Sequence, residues 1–165
     1  MIPDSISAYA AGFFDGEGTV CISKSTTKGR RFCSYAIALK IPQKKRAPLE
    51  FLQSVYGGTI YLIRRRGISV LYNLTLMGKD RLPFLESIAP FCIVKKADIQ
   101  CAIEYLRRKP ETKDRSCHIS EAERDWRESM FQKYLLLRRE SNNMADGRGQ
   151  FEFPVTLGLF SDKHN

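Results

Sequence analysis

The chain has 165 residues, of which 43% are hydrophobic and 27% are charged, which suits one well-buried domain and is short for two. No apolar run is long enough to cross a membrane, and the first residues lack the basic start and cleavage signal of a secretory leader. We therefore expect an intracellular protein with no membrane partner, in which one domain covers residues 1–140 and a tail covers residues 141–165.

The formal net charge of +9 comes largely from basic residues in the first half of the chain. Between Glu17 and Asp80 the only acidic residue is Glu50, whereas the basic residues there are Lys24, Lys28, Arg30, Arg31, Lys40, Lys44, Lys45, Arg46, Arg64, Arg65, Arg66 and Lys79. A solvated surface usually mixes both signs, so this imbalance favours a polyanionic partner, nucleic acid first. The five cysteines are irregularly spaced without a CxxC pair, which argues against structural zinc and fits a reducing compartment.

The apolar pattern predicts both helices and strands, since strict alternation indicates half-buried strands and apolar residues three or four apart indicate helices. In chain order we predict a helix over Ser7–Asp15 capped by Ser7, strands over Thr19–Ser25 and Ser34–Pro42, a helix over Pro48–Tyr56, strands over Thr59–Arg66 and Ile68–Leu76, and helices over Asp80–Ile88, Lys95–Leu106 and Ser120 to about Glu140. Ser120 and Glu123 form a predicted capping box, and Trp126 and Tyr134 are predicted to pack rather than to stack on bases. This αββαββαα order with a long C-terminal helix predicts one four-stranded antiparallel sheet, covered by helices on one face and open on the other.

Strand alternation also predicts which residues face the open side of the sheet. They are Thr19, Cys21, Ser23, Ser25, Ser34, Ala36, Ala38, Lys40, Arg64, Arg66, Ser69, Asn73 and Thr75. On a DNA-binding face, Arg64, Arg66 and Asn73 suit direct reading of bases, because arginine pairs with guanine and asparagine with adenine. Contacts to phosphates, which add affinity without sequence information, are expected from the loop residues Lys28, Arg30, Arg31, Lys44, Lys45 and Arg46.

The segment AAGFFDGEG, from Ala10 to Gly18, lies where a predicted helix enters a strand. It resembles the signature of the LAGLIDADG homing endonuclease family, with Ala10 in place of the leading leucine, and the αββαββα order is also similar to that family's. The resemblance implies an α+β fold with a saddle-shaped four-stranded antiparallel sheet. A single copy of the motif implies a homodimer, because the family packs two motif helices together. The residues expected at that contact are Ala8, Ala11, Gly12, Asp15 and Gly16.

The resemblance further implies a site-specific endonuclease that hydrolyses phosphodiester bonds in both strands of a long, near-palindromic double-stranded DNA. Glu17 matches the family's metal-binding acid, with the Gly16 carbonyl beside it, and hard oxygen ligands suit Mg²⁺, for which Mn²⁺ is expected to substitute. Gln43 and Lys95 match the catalytic periphery, where an amide can hold water and an ammonium can stabilise phosphate charge, and Lys96 is the alternative to Lys95. Asp15 is expected to support the helix end rather than to bind metal.

Two other functions are compatible with the same resemblance: a maturase that binds intron RNA, and a DNA-binding relative without catalysis. Glu17, together with Gln43 and Lys95, favours the nuclease over a non-catalytic protein. A basic protein that binds nucleic acid without specificity is the third alternative. Genes of this family occur in organelles, archaea, bacteria and phages, so the resemblance gives neither the host nor the DNA target.

Overall fold

The computed structural model describes residues 2–26, 33–63, 70–108 and 120–145. Its elements are α1 (Asp4–Glu17), β1 (Thr19–Thr26), β2 (Cys33–Gln43), α2 (Ala47–Tyr56), β3 (Thr59–Ile63), β4 (Leu71–Leu76), α3 (Arg81–Ile88), α4 (Lys96–Arg108) and α5 (Glu121–Ala145), with a 3₁₀ turn at Gly78–Asp80 before α3. This confirms the predicted element order. Among these helices, none is long and apolar enough to span a membrane.

The four strands form one antiparallel sheet in the order β1-β2-β4-β3. Both predicted hairpins are present, since Cys21 pairs with Ala38 in the first and Ile60 with Leu74 in the second. The hairpins join through β2 and β4, where Ile41 lies opposite Leu74. The sheet therefore has β2 and β4 at its centre and β1 and β3 at its edges.

One face of the sheet is apolar and lies under the helices, as predicted. Successive side chains of a strand point to opposite faces, so the alternation in the sequence places every second residue in this layer. The buried cluster includes Val20, Ile37, Leu39 and Leu74 from the strands, and Phe14, Leu52, Phe84 and Ile99 from the helices. The opposite face carries no helix among the described residues and is the open face of the sheet.

The first helix is longer than predicted, and Ser7 is not its cap. α1 begins at Asp4, directly after Pro3, so Ser7 lies within the helix and is buried. Its Oγ is 2.7 Å from Oγ of Ser87 in α3, and the hydroxyl of Tyr56 in α2 is 3.2 Å from the same Ser87 oxygen. The three hydroxyls satisfy one another in an otherwise apolar region and connect α1, α2 and α3.

The long helix α5 packs against β1 and α4. The hydroxyl of Tyr134 donates a hydrogen bond to the Val20 carbonyl at 2.8 Å, and the ring of Trp126 stacks on Tyr105 with centroids 5.4 Å apart. Both aromatic residues therefore pack within the chain, which confirms the prediction. The helix start is also as predicted in part, because the Glu123 amide donates to Ser120 Oγ at 3.2 Å.

Glu128 of α5 joins this helix to the first hairpin. One of its carboxylate oxygens accepts hydrogen bonds from Lys24 Nζ, at 2.7 Å, and from the Tyr35 hydroxyl, and the other accepts one from Gln132 at 2.8 Å. These hydrogen bonds, led by that of Lys24, lower the pKa of Glu128 to about 2. Lys24 thus serves the helical side of the sheet and not its open face.

Replacing Glu128 by glutamine should lower the free energy of unfolding at pH 7 by about 1 kcal/mol, because a charged acceptor becomes neutral while 35% of its side chain stays in water. Folding depresses this pKa, so the carboxylate's contribution is present above the ordinary value of 4.5 and is lost as the pH falls toward about 2. Urea unfolding at pH 7 and pH 3 measures the difference between the parent and E128Q, which should shrink at pH 3.

The matched control is Glu104→Gln, whose ion pair with Lys133 is half exposed on both sides. That variant should change the free energy of unfolding by less than about 0.5 kcal/mol. An equal loss of stability in E128Q at both pH values would contradict the assigned role of the carboxylate.

Candidate active site and nucleic-acid interface

The end of α1 is fixed by the packing of Gly18 on Phe14. A Cβ at Gly18 would lie 2.2 Å from the Phe14 ring, which is fully buried, so only glycine fits where the helix turns into β1. The turn leaves Gly16 and Glu17 exposed at the surface. The sequence Gly16-Glu17-Gly18 thereby presents a carboxylate at the end of the sheet where β1 begins.

Asp15 connects this helix end to the segment before α4. Its carboxylate accepts hydrogen bonds from the backbone amides of Ile93, at 2.7 Å, Val94, at 3.1 Å, and Lys95, at 3.0 Å. With both oxygens occupied by amides of its own chain, Asp15 supports the helix end and is not arranged as a metal ligand. These hydrogen bonds fit the supporting role expected for Asp15.

Lys95 lies at the same helix end, and its ammonium contacts the carbonyls of α1. Nζ donates to the Phe14 carbonyl at 3.2 Å and also to the Asp15 carbonyl. Burial lowers the pKa of Lys95, and the negative charge of Asp15 opposes that effect. Lys96 is exposed at the start of α4, so Lys95 is the lysine that the fold brings to the end of α1.

Gln43 lies at the same end of the sheet, at the last position of β2. Because Thr19, the first residue of β1, pairs with Lys40, β2 continues three residues past the start of β1 and ends at Gln43. The side-chain carbonyl of Gln43 accepts a hydrogen bond from the Lys44 amide at 2.7 Å, and its Nε2 donates no hydrogen bond to the described residues. Glu17, Gln43 and Lys95, which are far apart in sequence, thus lie at the same end of the sheet, where β1 begins and β2 ends.

The oxygen atoms of Gly16 and Glu17, at this end of the sheet, could bind Mg²⁺ if other groups supply the remaining ligands. The Phe14 carbonyl accepts hydrogen bonds from the Gly18 amide and from Lys95, and the Asp15 carbonyl accepts one from Lys95. Within the described residues the Gly16 carbonyl accepts no hydrogen bond, and the Glu17 carboxylate is exposed. The described parts of the chain hold no group of three or more His, Cys, Asp or Glu that could bind a metal. Since Mg²⁺ takes about six oxygens, these two donors suit it where waters and phosphate oxygens supply the rest.

The residues expected at the subunit contact divide between the surface and the core. Ala8, Gly12 and Gly16 lie four residues apart on the exposed side of α1 and form what we call the glycine face. An added Cβ at Gly12 or Gly16 would meet no atom of the described residues within 4 Å. Ala11 is 0% exposed and packs in the core of its own chain, so its inclusion in this set was wrong.

The open face of the sheet is largely as predicted. Thr19, Cys21, Ser23, Ser25, Ser34, Ala36, Ala38 and Lys40 lie on it, and none of them is buried. In β3 the face is formed by Thr59, Tyr61 and Ile63, which the sequence reasoning missed because it assigned even-numbered positions of this strand, Arg64 and Arg66, to the open face. Tyr61 is 52% exposed beside Asn73, and the alternation of Thr59 and Tyr61 could have revealed it.

Asn73 and Thr75 lie on the open face but are not free to read bases. Both are 8% exposed, and Asn73 Nδ2 donates to Thr75 Oγ1 at 2.8 Å. They belong to β4, which lies between β2 and β3 in the sheet. The expected bidentate contact between Asn73 and adenine is therefore corrected, because too little of the side chain is accessible for a base to reach it.

The basic residues expected to grip phosphates are only partly within the described structure. Lys40, Lys44 and Lys45 are exposed at the β2 end, and Arg46 is exposed but forms an ion pair with Glu50 at 2.8 Å. The remaining predicted contacts, Lys28, Arg30, Arg31, Arg64, Arg66 and Ser69, lie outside the described residues.

Comparison with known proteins identifies the fold. No protein-family model matches the chain, and no curated protein matches its sequence. The homing endonuclease I-CvuI, in complex with its target, matches with a TM-score of 0.59 and 19% identity over 90% of this chain and 87% of that one. The archaeal intron-encoded homing endonuclease I-Vdi141I, complexed with DNA, matches with a TM-score of 0.57 and 20% identity over 93% of this chain and 89% of that one. The LAGLIDADG homing endonuclease I-GzeII, in complex with a DNA target, matches with a TM-score of 0.57 and 15% identity over 90% of this chain and 54% of that one.

Replacing Asp15 by alanine should lower the free energy of unfolding by about 2 kcal/mol, because three amide donors lose a charged acceptor. Hydrogen exchange should lose most of its protection at the amides of Ile93, Val94 and Lys95, whereas buried positions of β2 such as Leu39 should become faster only by as much as the global free energy of unfolding falls. Mass-spectrometric hydrogen exchange measures both regions in one experiment. The control is Glu17→Gln, which is expected to leave both quantities unchanged, and equal exchange in D15A and the parent would refute the anchoring role.

Proposed function

We propose that this chain, which has the α+β fold of LAGLIDADG homing endonucleases, is a homodimeric, divalent-metal-dependent endonuclease that cuts both strands of a long, near-palindromic DNA site. The observation that carries the proposal is the end of α1, where an exposed carboxylate and a free carbonyl stand beside an exposed face of glycines. The first feature is half of a metal site, and the second suits close approach of another helix. Each needs a second copy of the chain.

The glycine face supports the dimer on energetic grounds. Glycine inside a helix costs about 0.5–1 kcal/mol relative to alanine, and a close contact with another helix would offset this cost at Gly12. Among the described residues, nothing lies within 4 Å of a Cβ at Gly12 or Gly16, so packing within that part of the chain does not supply such a contact. Close contact between two copies of α1 would supply it and would bring the two Glu17 carboxylates together.

In the proposed reaction, Glu17 and the Gly16 carbonyl would hold Mg²⁺, for which Mn²⁺ could substitute. When bound there, the metal would stabilise negative charge on the attacking and leaving oxygens of the phosphodiester. Gln43, whose amide is fixed by Lys44, would donate from Nε2 to orient the attacking water or a phosphate oxygen. Lys95 would keep the α1 end in place through the Phe14 and Asp15 carbonyls and add positive charge beside the phosphate.

We propose that the open face binds the major groove. The first hairpin would present Thr19, Cys21, Ser23, Ser25, Ser34 and Lys40 to the bases, joined by Tyr61 on the opposite edge strand and by Arg64, Arg66 and Ser69. Phosphate contacts would come from Lys44 and Lys45, with Lys28, Arg30 and Arg31. The charge pattern supports this orientation, since four of the five ion pairs among the described residues lie on the helical side of the sheet and not at the Lys40–Lys45 end.

Glu17→Gln should abolish cleavage while binding survives, because the amide keeps the shape of the carboxylate but is a poor ligand for Mg²⁺. A library of near-palindromic duplexes, incubated with the protein and Mg²⁺, first identifies the double-strand cut, and the variant is then compared on that site. The matched control is Glu121→Gln on α5, which should cut at the parent's rate. Cleavage by E17Q at the parent's rate would exclude Glu17 as the metal ligand.

Gly12→Leu should weaken dimerisation by at least about tenfold, because a branched side chain would separate the two helices. The fold itself should be retained, since a Cβ at this position meets nothing within 4 Å in the single chain. Sedimentation velocity measures the dimer, and circular dichroism checks the fold. Gln100→Leu on the exposed side of α4 is the control, and a G12L protein that dimerises like the parent would argue against the glycine face as the contact.

A further inference from the structure

Exposed aromatic rings lie on one side of the glycine face. Tyr9 comes three residues before Gly12, which places it about 60° around the helix from the centre of the face. Phe51 of α2 lies edge-on against Tyr9, with ring centroids 5.6 Å apart. Both side chains are more than 40% exposed in the single chain. We call Tyr9 and Phe51 the aromatic flank.

Exposed aliphatic residues lie on the other side of the same face. Asp15 comes three residues after Gly12 and so lies about 60° from it in the opposite direction. Its hydrogen bonds to the Ile93 and Val94 amides hold this segment beside α1, and Cys92 Sγ is 3.8 Å from the Ala11 carbonyl. Ile93 and Val94 are 82% and 70% exposed, the highest values among the large hydrophobic residues of the described chain. We call Ile93 and Val94 the aliphatic flank.

We infer that the aromatic flank of one copy packs against the aliphatic flank of the other, so that the subunit interface extends beyond α1 on both sides. The inference rests on the proposed homodimer. Both copies must direct Glu17 to the same DNA, so the two α1 helices run toward it in the same direction and the two-fold axis lies roughly along them. Rotation by half a turn about such an axis sets the glycine faces together and places opposite sides of the helices in contact. Each aromatic flank therefore meets the aliphatic flank of the other copy.

The chemistry of the flanks favours a second copy of the chain over DNA as the occupant. Ile93 and Val94 have no group that could bind a phosphate, and their exposure to water is unfavourable unless something apolar covers them. The aromatic flank is apolar and of similar extent. Both flanks adjoin the glycine face directly, so the apolar surface is continuous with the proposed helix contact. Large exposed apolar surfaces on otherwise polar proteins commonly mark such contacts.

The test uses opposite charges in the two flanks. Phe51→Lys and Ile93→Glu should each raise the dimer dissociation constant by about tenfold or more, because the partner flank offers the new charge no counterpart. An equimolar mixture of the two variants should form heterodimers with an affinity near the parent's, because the introduced ammonium and carboxylate then face each other. Sedimentation velocity at a series of concentrations measures all three samples, and circular dichroism and thermal melts check that each variant is folded.

Leu136→Glu is the matched control, because Leu136 is 57% exposed on α5, a helix that contributes to neither flank, and this variant should dimerise like the parent. Tyr9→Lys with Val94→Glu is the second pair, used if either first variant does not fold. Normal dimerisation of I93E would overturn the aliphatic flank, and weakened variants that do not recover on mixing would overturn the pairing of the flanks. A parent chain that stays monomeric with and without DNA would instead overturn the proposed homodimer itself.

Discussion

The candidate site depends on a reciprocal contact between the end of α1 and the start of α4. A helix accumulates partial negative charge on its last carbonyls and partial positive charge on its first amides. Here the Lys95 ammonium contacts carbonyls at the end of α1, while the Asp15 carboxylate accepts amides that lead into α4. Each side chain compensates the other element's terminus. The contact fixes the direction in which α1 meets the sheet, and with it the position of Glu17.

The same arrangement explains why the small residues of the α1 motif are not interchangeable. Gly18 is required within the chain, because the Phe14 ring occupies the space of its side chain. Gly12 and Gly16 have open space around them among the described residues, so packing within that part of the chain does not require glycine there. Ala11, on the inner side, fills the core. One short motif therefore combines internal packing with an outward face, and sequence spacing alone separates these roles only in part.

The sequence could predict what depends on local pattern. Alternation along β1 and β2 fixed the open face, and the AAGFFDGEG segment placed Glu17 at the end of a helix that enters a strand. Contacts between distant segments were not predictable. Ser7 resembles a helix cap because serine often occupies that position, yet its partner is Ser87, eighty residues away. Strand alternation could assign Asn73 to the open face, but its burial could not be predicted without the strand order, which places β4 between two other strands. The aliphatic flank was not predictable either, because the hydrogen bond from the Ile93 amide to Asp15 joins segments that are distant in sequence.

Within the described residues, one copy of the chain has one exposed carboxylate in the α1 motif, that of Glu17, and no cluster of acidic residues that could form a complete metal site. For an enzyme assembled from two such halves, the amount of active species at low expression rises with the square of the chain concentration. Halving the protein would then reduce cutting about fourfold while the pool is mostly monomeric. Such a dose response would spare a host genome from stray breaks when the gene is weakly expressed, yet permit rapid cutting once it is abundant.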